Sequence, residues 1–276
     1  MRKKVAFIGV GNMAKATLSG ITAGNKDMSD IILYNRHSEK IEKYRECGAY
    51  IAHSLNEAVE MADVVLLCVK PQNFQDVLPL LSQCDNVSIK LFVTMAAGIT
   101  MKTVSDAALG ASVVRVMPNT PMLIGKGVIA ACRNERTSDE DFEFVCNMFA
   151  LSGKVLKIDE SEMNRIICVT GSSPAYVFMM IRAMYEGACE QGLLLNDERY
   201  GISQKELLES ICDTIIGAAE LMKSGDKTPD EQIATVASKG GTTERAIAEL
   251  EKFNFDEAII SAMGKCTERA DELGKY

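Results

Sequence analysis

Short apolar runs alternate with helical patterns over the first 158 residues of the chain. The strongest run, from Asp63 to Val69, is apolar at successive positions and does not alternate with polar ones. A strand that is buried on both faces of a parallel sheet needs this pattern. Strands are therefore predicted at Val5–Gly9, Ile31–Tyr34, Val64–Val69, Ile89–Thr94, Val113–Met117, Val128–Ala131 and Val155–Ile158.

Helical patterns lie between these runs, at Ser38–Cys47, Asn73–Cys84 and Ser138–Leu151 among others. Ser138 is a good N-cap for the last of them, and the acidic residues that follow it suit the positive end of a helix. The alternation of strands and helices predicts an α/β fold, with an N-terminal Rossmann-type doubly wound sheet.

After Ile158 the pattern changes, and only helices are predicted. They lie at Glu162–Gln191, Gln204–Lys223, Pro229–Ala237, Thr243–Phe253 and Asp256–Leu273. The first of them is apolar almost all round and must be buried, and a partner subunit is the simplest cover. The prediction is thus two domains, at 1–158 and 159–276, the second of them all-helical.

Composition narrows the functional classes. The net charge of −8 argues against a nucleic-acid or anionic-membrane partner, which needs a positive field. The chain contains no uninterrupted apolar stretch of about 18 residues or more and no signal peptide, so we expect a cytoplasmic protein with no transmembrane helix. No two of its nine cysteines lie closer than Cys132 and Cys146, which predicts reduced core residues and no metal site.

A glycine-rich loop follows the first predicted strand. Residues Phe7–Ala14 fit the pattern G-x-G-x-x-A, with Gly9 and Gly11 as the two glycines. Gly9 suits a tight turn, Gly11 lets the backbone approach a pyrophosphate, and the following helix N-terminus attracts the anion. We therefore predict a dinucleotide-binding domain at 1–158, the alternative being a structural turn with no ligand.

The end of the second strand bears on which dinucleotide is bound. An acidic residue there would take the ribose 2′-hydroxyl of NAD, but no carboxylate occurs before Glu39. Asn35, Arg36 and Ser38 instead offer a cation and neutral donors, which suit the 2′-phosphate of NADP. NADP(H) is the preferred prediction and NAD(H) the alternative, since Arg36 also fits an ordinary solvated loop.

A second glycine pair lies in the helical half. Thr228 and Glu231 form a capping box at the start of one helix, and Gly240-Gly241 separates that helix from the next. Backbone N–H groups at such a helix start, beside two threonine hydroxyls, suit a small carboxylate. The alternative is a glycine C-cap followed by an ordinary helix.

These segments together resemble the pyrroline-5-carboxylate reductase family over essentially the whole chain. The resemblance lies in Phe7–Ala14, Cys68–Gln72, Met95–Ile99, Arg115–Pro121, Thr170–Tyr176 and Ser238–Thr243. Two residues depart from the family's pattern: Ser173 is at a position where the family usually has glycine, and Lys239 is at one where it often has proline.

The resemblance implies reduction of L-1-pyrroline-5-carboxylate to L-proline by hydride transfer from NAD(P)H, the final step of proline biosynthesis. The Thr243 hydroxyl is then the catalytic group, directed toward the ring nitrogen. The expected substrate-binding residues are Ser238, Gly240, Gly241, Thr242, Thr243 and Ser172. The expected cofactor-binding residues are Gly9, Gly11, Asn12, Met13, Asn35, Arg36, Asn56, Val69, Lys70, Pro71, Ala97, Gly98 and Asn119.

Several of these residues also have ordinary structural interpretations. Lys70 fits a loop lysine before a proline, and Asn119 and Ser172 fit loop and helix-cap hydrogen bonding. Asn56 is displaced by one position from the family's usual asparagine.

The resemblance also implies a homodimer formed through the helical domain, and it leaves a ring of dimers open. Two other functions stay open at this point. One is a β-hydroxyacid dehydrogenase-like oxidoreductase, although the helical half lacks the Lys-x-x-x-Asn pair of those enzymes. The other is a nucleotide-sensing protein without catalysis.

Overall fold

The computed structural model describes residues 3–22, 27–193 and 201–274. The chain divides into two compact units. The first comprises residues 1–174 together with 263–276, and the second comprises residues 175–262.

The first unit is built on one eight-stranded sheet. Its strands are β1 (Val5–Ile8), β2 (Ile31–Tyr34), β3 (Tyr50–Ile51), β4 (Val64–Leu67), β5 (Leu91–Thr94), β6 (Ser112–Met117), β7 (Gly127–Arg133) and β8 (Gly153–Lys157). Their order is β3-β2-β1-β4-β5-β6-β7-β8, and every neighbouring pair is parallel except β6 and β7. The first six strands have the order of a doubly wound dinucleotide-binding sheet, which confirms the predicted fold class.

Helices cover both faces of this sheet. They are α1 (Asn12–Ile21), α2 (Leu55–Met61), α3 (Phe74–Leu81), α4 (Met101–Ala107) and α5 (Asp139–Ala150). Strands β1, β4 and β5 are buried at every position, as their continuous apolar runs predict, and two apolar cores form, one on each face. Ser138 caps α5 by accepting a hydrogen bond from the Asp141 backbone N–H, as predicted.

Several strand ends in this unit differ from the prediction by one or two residues, and four differences are larger or concern a whole element. Strand β3 was not predicted, because two residues are too short to give a periodic signal. Ser38–Cys47 forms two short 3₁₀ segments, at Ser38–Lys40 and Glu42–Cys47, and not one helix. Asn73–Cys84 contains Pro79 and its helix ends at Leu81. Strand β7 runs antiparallel to β6, since a short 3₁₀ segment joins them without the crossover helix that a parallel pair requires.

The predicted helix at Glu162–Gln191 is interrupted. A π-helical turn spans Ile167–Gly171, and a regular helix, α6, begins at Ser173 and ends at Glu190. Pro174 has no N–H to donate to the Thr170 carbonyl four residues earlier, so the regular ladder is broken at this point. That carbonyl accepts a hydrogen bond from Asn119 Nδ2 at 2.9 Å instead.

The remaining helices are α7 (Gln204–Ser224), α8 (Pro229–Val236), α9 (Thr242–Lys252) and α10 (Phe255–Leu273). Helix α8 begins with the predicted capping box between Thr228 and Glu231, and α7 has another between Ser203 and Glu206. In the described residues after Lys157 no further strand of the sheet occurs, as predicted.

Helix α6 is not buried within the single chain, which leaves a partner subunit as the predicted cover for its apolar surface. None of its residues is buried, and Phe178 is 63% exposed. The helical segment Ile167–Glu190 is also long and apolar enough, by length and composition alone, to cross a membrane. Polar and charged residues such as Ser172, Arg182 and Glu186 interrupt it, so it is not the uninterrupted apolar stretch whose absence led to the expectation of no transmembrane helix.

The nine cysteines are free, as predicted, but they are not all core residues. Cys47 and Cys189 are exposed, whereas Cys84, Cys132, Cys146 and Cys168 are buried. Burial raises the pKa of the Cys132 thiol to about 12, so this group stays protonated at neutral pH.

Candidate active site

The carboxyl ends of the parallel strands define one edge of the sheet. Strands β1, β2, β4, β5 and β6 all run in the same direction, so the loops that follow them meet at this edge. The strand order reverses between β1 and β4, which is the point where open α/β sheets bind ligands. Most of the predicted cofactor residues lie in these loops.

The first glycine loop has the backbone that a pyrophosphate site needs. Gly9 has φ of +86°, and a side chain there would lie 2.8 Å from Val69 Cγ1. Gly11 is the N-cap of α1 and carries no side-chain cap, and a side chain added to it would meet nothing within 4 Å. The free space at Gly11 and the open helix N-terminus therefore fit the diphosphate of a dinucleotide.

Asn35 fixes the shape of this loop. Its side-chain oxygen accepts from the Val10 backbone N–H at 3.4 Å, and its Nδ2 donates to the His37 carbonyl at 2.9 Å. The Gly9 N–H donates to the Tyr34 carbonyl at 2.8 Å, so the loops after β1 and β2 are tied together.

A cleft of about 600 Å³ opens at these loops, and we call it the glycine-loop cleft. Six predicted cofactor residues line it: Gly9, Gly11, Asn35, Arg36, Val69 and Lys70. Leu55, Lys15 and Lys40 also line it and were not predicted. Lys40 follows Arg36 by four residues and Lys15 follows the glycine motif directly, so a count of positive charges near the motif would have found both lysines.

The charge of the glycine-loop cleft is mainly positive. Four cationic side chains line it: Lys15, Arg36, Lys40 and Lys70. Asp76 is the only acidic side chain among the lining residues that the structure describes, and it pairs with Arg36 at 3.3 Å. A positive cleft with one open helix N-terminus suits a polyanionic ligand such as NADP(H).

The other predicted cofactor residues lie outside the lining of this cleft. Asn12 and Met13 form the first turn of α1, and Pro71 begins a 3₁₀ turn after Lys70. Asn56 lies on α2, where its side-chain oxygen accepts from the Asp85 backbone N–H at 2.9 Å.

The Asn119 side chain is occupied by two backbone partners. Its Nδ2 donates to the Thr170 carbonyl at 2.9 Å, and its oxygen accepts from the Val128 N–H at 2.9 Å. Asn119 thus supplies the hydrogen bond that Pro174 leaves unmade. The hydrogen-bonding interpretation of this residue therefore has direct structural support.

Ala97 and Gly98 lie in the loop after β5. Gly98 has φ of +79°, and a side chain there would lie 2.5 Å from the Gly274 backbone nitrogen and 2.6 Å from the Leu273 carbonyl carbon. The end of α10 therefore rests directly on the backbone of this loop. The sequence gives no sign of this contact, since 176 residues separate Gly98 from Gly274 along the chain.

A polar network around the buried side chain of Arg115 supports the same loop. Glu160 accepts from the Met101 backbone N–H at 2.6 Å and pairs with Arg115 at 3.5 Å. Arg115 donates to Asn164 at 2.6 Å, and Asn164 donates to Asp271 of α10 at 2.7 Å. Burial lowers the pKa of Arg115 and the Glu160 charge opposes that shift. Sequence reasoning missed these residues because each is separated from its partners along the chain.

The second glycine pair forms a tight turn before α9. Gly240 has φ of +75°, and the Gly241 N–H donates to the Ser238 carbonyl at 2.9 Å. Gly241 is the N-cap of α9 and has no side-chain cap, and Thr242 and Thr243 are the first residues of the helix. The start of this 11-residue helix thus presents uncapped N–H groups, which suits a carboxylate.

Thr243 and Glu244 have different surroundings at this turn. Thr243 lines a small, largely apolar cavity of about 280 Å³ between α7, α8 and α9, together with Leu221 and Ile233. Glu244 accepts a hydrogen bond from the Gly240 N–H at 2.7 Å and was not predicted to have a role. A carboxylate oxygen thus already binds a backbone donor of this turn. Ser172, in the first unit, shares a hydrogen bond with Cys266 at 3.1 Å.

Known proteins resemble both parts of the chain. A family model described as pyrroline-5-carboxylate reductase dimerisation matches residues 160–273. A model described as NADP oxidoreductase coenzyme F420-dependent matches residues 4–98. A structure of pyrroline carboxylate reductase from Plasmodium falciparum with NADP bound has a TM-score of 0.87 at 24% identity, covering 99% of this chain and 98% of that one, which establishes a shared fold.

Two curated relatives are similar in sequence over their full lengths. Pyrroline-5-carboxylate reductase of Corynebacterium melassecola is 36% identical, with 99% of each chain covered. The enzyme of that name from Escherichia coli strain K12 is 33% identical, with 100% of each chain covered. Identity at this level over whole chains shows that the chain belongs to the pyrroline-5-carboxylate reductase family.

Proposed function

We propose that this protein is an NADP(H)-dependent enzyme that reduces L-1-pyrroline-5-carboxylate to L-proline, the final step of proline biosynthesis. The observation that carries the proposal is the pair of uncapped helix N-termini, one at Gly11 and one at Gly241, in a chain that belongs to this family along its whole length. One suits a pyrophosphate and the other suits a carboxylate. The proposed domains are a dinucleotide-binding domain at 1–158 and a substrate-binding and dimerisation domain at 159–276.

The cofactor residues are assigned from the glycine-loop cleft and the resemblance. Gly9 and Gly11 leave room for the diphosphate, and Arg36 takes the 2′-phosphate. Val69, Lys70, Pro71, Ala97 and Gly98 flank the nicotinamide. The remaining members of the proposed set are Asn12, Met13, Asn35, Asn56 and Asn119. NADP(H) supplies the hydride, and NAD(H) is the weaker alternative.

The substrate residues are assigned to the turn before α9 and to Ser172. The backbone N–H groups of Thr242 and Thr243 hold the substrate carboxylate, and Ser238, Gly240 and Gly241 shape the turn, in which the Gly241 N–H donates to the Ser238 carbonyl. The Thr243 hydroxyl binds at the ring nitrogen. The hydride adds to the C=N carbon of the protonated imine, and the π electrons become the nitrogen lone pair. Because the imine can arrive protonated, positioning and charge stabilisation suffice for this step.

The proposed assembly is a homodimer formed through the helical domain, with a ring of dimers as a further level. The exposed apolar face of α6 supports this proposal, because it needs a cover. We further propose that the enzyme works in the cytoplasm and that its partners include neither nucleic acid nor membrane, in keeping with the net charge of −8.

The direct test follows NADPH absorbance with 1-pyrroline-5-carboxylate and, separately, with panels of hydroxyacids and ketoacids. Oxidation of NADPH with the imine alone supports the proposal. Turnover only with the oxygen substrates would indicate a β-hydroxyacid dehydrogenase-like enzyme. Tight NADPH binding without turnover of any substrate would indicate a nucleotide sensor.

The Arg36→Ala variant tests the assignment of the 2′-phosphate. We expect kcat/KM to fall roughly tenfold with NADPH and to change little with NADH, because a charge-assisted hydrogen bond to a phosphate is lost. The matched control is Arg45→Ala, which removes an exposed arginine that pairs with Glu42 and lies outside the cleft lining. If the ratio of kcat/KM with NADPH to kcat/KM with NADH is the same in the wild type and in Arg36→Ala, the 2′-phosphate is bound elsewhere.

A further inference from the structure

The glycine-loop cleft contains an acidic side chain that the cofactor assignment does not use. Asp76 lies in the first turn of α3, after β4, whereas Arg36 lies in the loop after β2. The Arg36 Nη2 and Asp76 Oδ2 atoms are 3.3 Å apart, and both side chains line the cleft. The two residues thus join two loops across the edge of the sheet.

Asp76 offers the chemistry that is missing at the end of the second strand. A carboxylate at a dinucleotide site accepts a hydrogen bond from a ribose 2′-hydroxyl, which NADH has and NADPH lacks. The loop after β2 has no carboxylate before Glu39, and Glu39 is not among the residues that line the cleft. Helix α3 therefore supplies the acidic group beside Arg36 from a different part of the chain.

The Asp76 carboxylate weakens the binding of NADPH in two ways. Arg36 must give up its Asp76 partner before its guanidinium can bind the 2′-phosphate. The Asp76 charge also repels that phosphate, because like charges at close range raise the free energy of the complex. Neither cost applies to NADH, with which Arg36 can keep its ion pair.

We propose that Asp76 is a specificity-determining residue that holds Arg36 in an ion pair across the glycine-loop cleft and thereby narrows the preference for NADPH over NADH. This inference rests on the proposed function, which assigns Arg36 to the 2′-phosphate. Arg36 is 72% exposed and Asp76 is 51% exposed, so water screens the pair. We therefore expect it to change the ratio of cofactor dissociation constants by a small factor.

The test is the Asp76→Asn variant, which keeps the size of the side chain and removes its charge. The dissociation constants of NADP⁺ and NAD⁺ are measured by calorimetry, without substrate, at low and high salt. We expect the ratio of NAD⁺ to NADP⁺ dissociation constants to rise threefold to tenfold at low salt, and less at high salt, where charges are screened. The ratio of kcat/KM values for NADPH and NADH should rise with it.

Asp106→Asn is the matched control. Asp106 is an exposed aspartate paired with Lys102 at 2.5 Å on α4, and it is not among the residues that line the cleft. We expect this variant to bind both cofactors as the wild type does. A similar rise in the ratio for both variants would mean that net charge alone is responsible, and it would overturn the inference.

The Arg36→Ala background separates this inference from the function on which it rests. If Asp76 acts by holding Arg36, Asp76→Asn changes the ratio less in Arg36→Ala than in the wild-type chain, as a double-mutant cycle would report. An effect of equal size in both backgrounds overturns the pairing. An Arg36→Ala effect without an Asp76→Asn effect overturns the inference and leaves the proposed function intact. No effect of either variant overturns the inference together with the assignment of Arg36 to the 2′-phosphate.

Discussion

The two units of this protein bury their apolar side chains to very different extents. In the first unit, strands β1, β4 and β5 are buried at every position, and apolar cores cover both faces of the sheet. In the second unit, α8 and α9 have no buried residue, and α7 has only Leu207 and Ile211. A single chain thus completes one core and leaves the other open.

The difference explains where each kind of function lies. A sheet with two complete cores holds its loops in place, and the glycine-loop cleft is formed by those loops. Helices with exposed apolar faces need another surface to cover them, and the model for pyrroline-5-carboxylate reductase dimerisation matches this part of the chain. The protein is therefore an oligomer, and we propose that another subunit covers the open helices of its second unit.

The largest expected effect is on α6. Phe178→Glu places a charge on its exposed apolar face, where Phe178 is 63% exposed in the single chain. We expect the subunit dissociation constant to rise at least about 100-fold, or roughly 2.7 kcal/mol, because an unpaired charge is costly in an apolar interface. Sedimentation over a range of protein concentrations measures this change, and activity should fall with the oligomer.

Ile89→Glu provides the control for this experiment. Ile89 is 78% exposed in a 3₁₀ turn of the first unit, so the substitution adds the same charge to an exposed apolar position there. We expect the oligomer to persist. Dissociation by Ile89→Glu, or an intact oligomer in Phe178→Glu, would contradict the contrast between the two units.

An effect on the stability of one subunit, and not on assembly, is expected where the end of α10 contacts the loop after β5. Gly98→Ala introduces a side chain 2.5 Å from the Gly274 backbone, at a positive φ. We expect the free energy of unfolding to fall by about 2–4 kcal/mol, measured by chemical denaturation, since backbone atoms must move to make room.

Gly125→Ala isolates the clash from the backbone strain. Gly125 also has a positive φ, of +71°, but a side chain there would meet nothing within 4 Å. We expect this variant to lose only about 1 kcal/mol. Equal losses in the two variants would mean that the contact with α10 contributes nothing to the stability of the first unit.

The smallest effect concerns two exposed cysteines, one in each unit. Cys47 and Cys189 are both exposed in the single chain, so both should react with iodoacetamide at pH 8. Because Cys189 lies on α6, we expect it to react several-fold more slowly than Cys47 in the oligomer and as fast as Cys47 in Phe178→Glu. Mass spectrometry of labelled peptides measures both rates. Equal rates in the oligomer would show that this end of α6 is uncovered.

Buried Cys132 serves as an internal control for unfolding in that labelling experiment. Burial raises the pKa of its thiol to about 12, above the value of an exposed thiol, so at pH 8 it remains protonated and unreactive in the folded chain. Its thiolate forms at that pH only after unfolding, and labelling of Cys132 therefore reports unfolding. Rapid labelling of Cys132 in the folded protein would contradict this assignment.

Much of the first unit is predictable from sequence because its signals are local. Continuous apolar runs predict buried parallel strands, and G-x-G-x-x-A directly after the first strand predicts the turn at Gly9 and the open helix at Gly11. The capping box at Thr228 likewise places the start of α8 within one motif. In each case the residues that decide the structure are neighbours in the chain.

The remaining features depend on partners that are distant in sequence. The break before α6 follows from Pro174 together with Asn119, which donates to the carbonyl that the proline leaves free. The contact of Gly98 with Gly274 and the pairing of Arg36 with Asp76 require the folded sheet. Periodicity and motif spacing do not encode such pairs, so the sequence predicted the loops but not what they touch.

In the proposed function, one unit binds the cofactor and the other binds the substrate carboxylate, and Thr243→Ala tests this division most directly. Stopped-flow and steady-state measurements give kcat/KM for 1-pyrroline-5-carboxylate, and fluorescence titration gives the NADPH dissociation constant. Thr214→Ala, which removes an exposed hydroxyl bonded to the Ser210 carbonyl of its own helix α7, is the control. We predict that Thr243→Ala lowers kcat/KM at least about tenfold, the loss of one good hydrogen bond, with NADPH affinity unchanged. An unchanged kcat/KM, or a loss of NADPH affinity as large as the loss of kcat/KM, would contradict the assignment of Thr243 to the substrate.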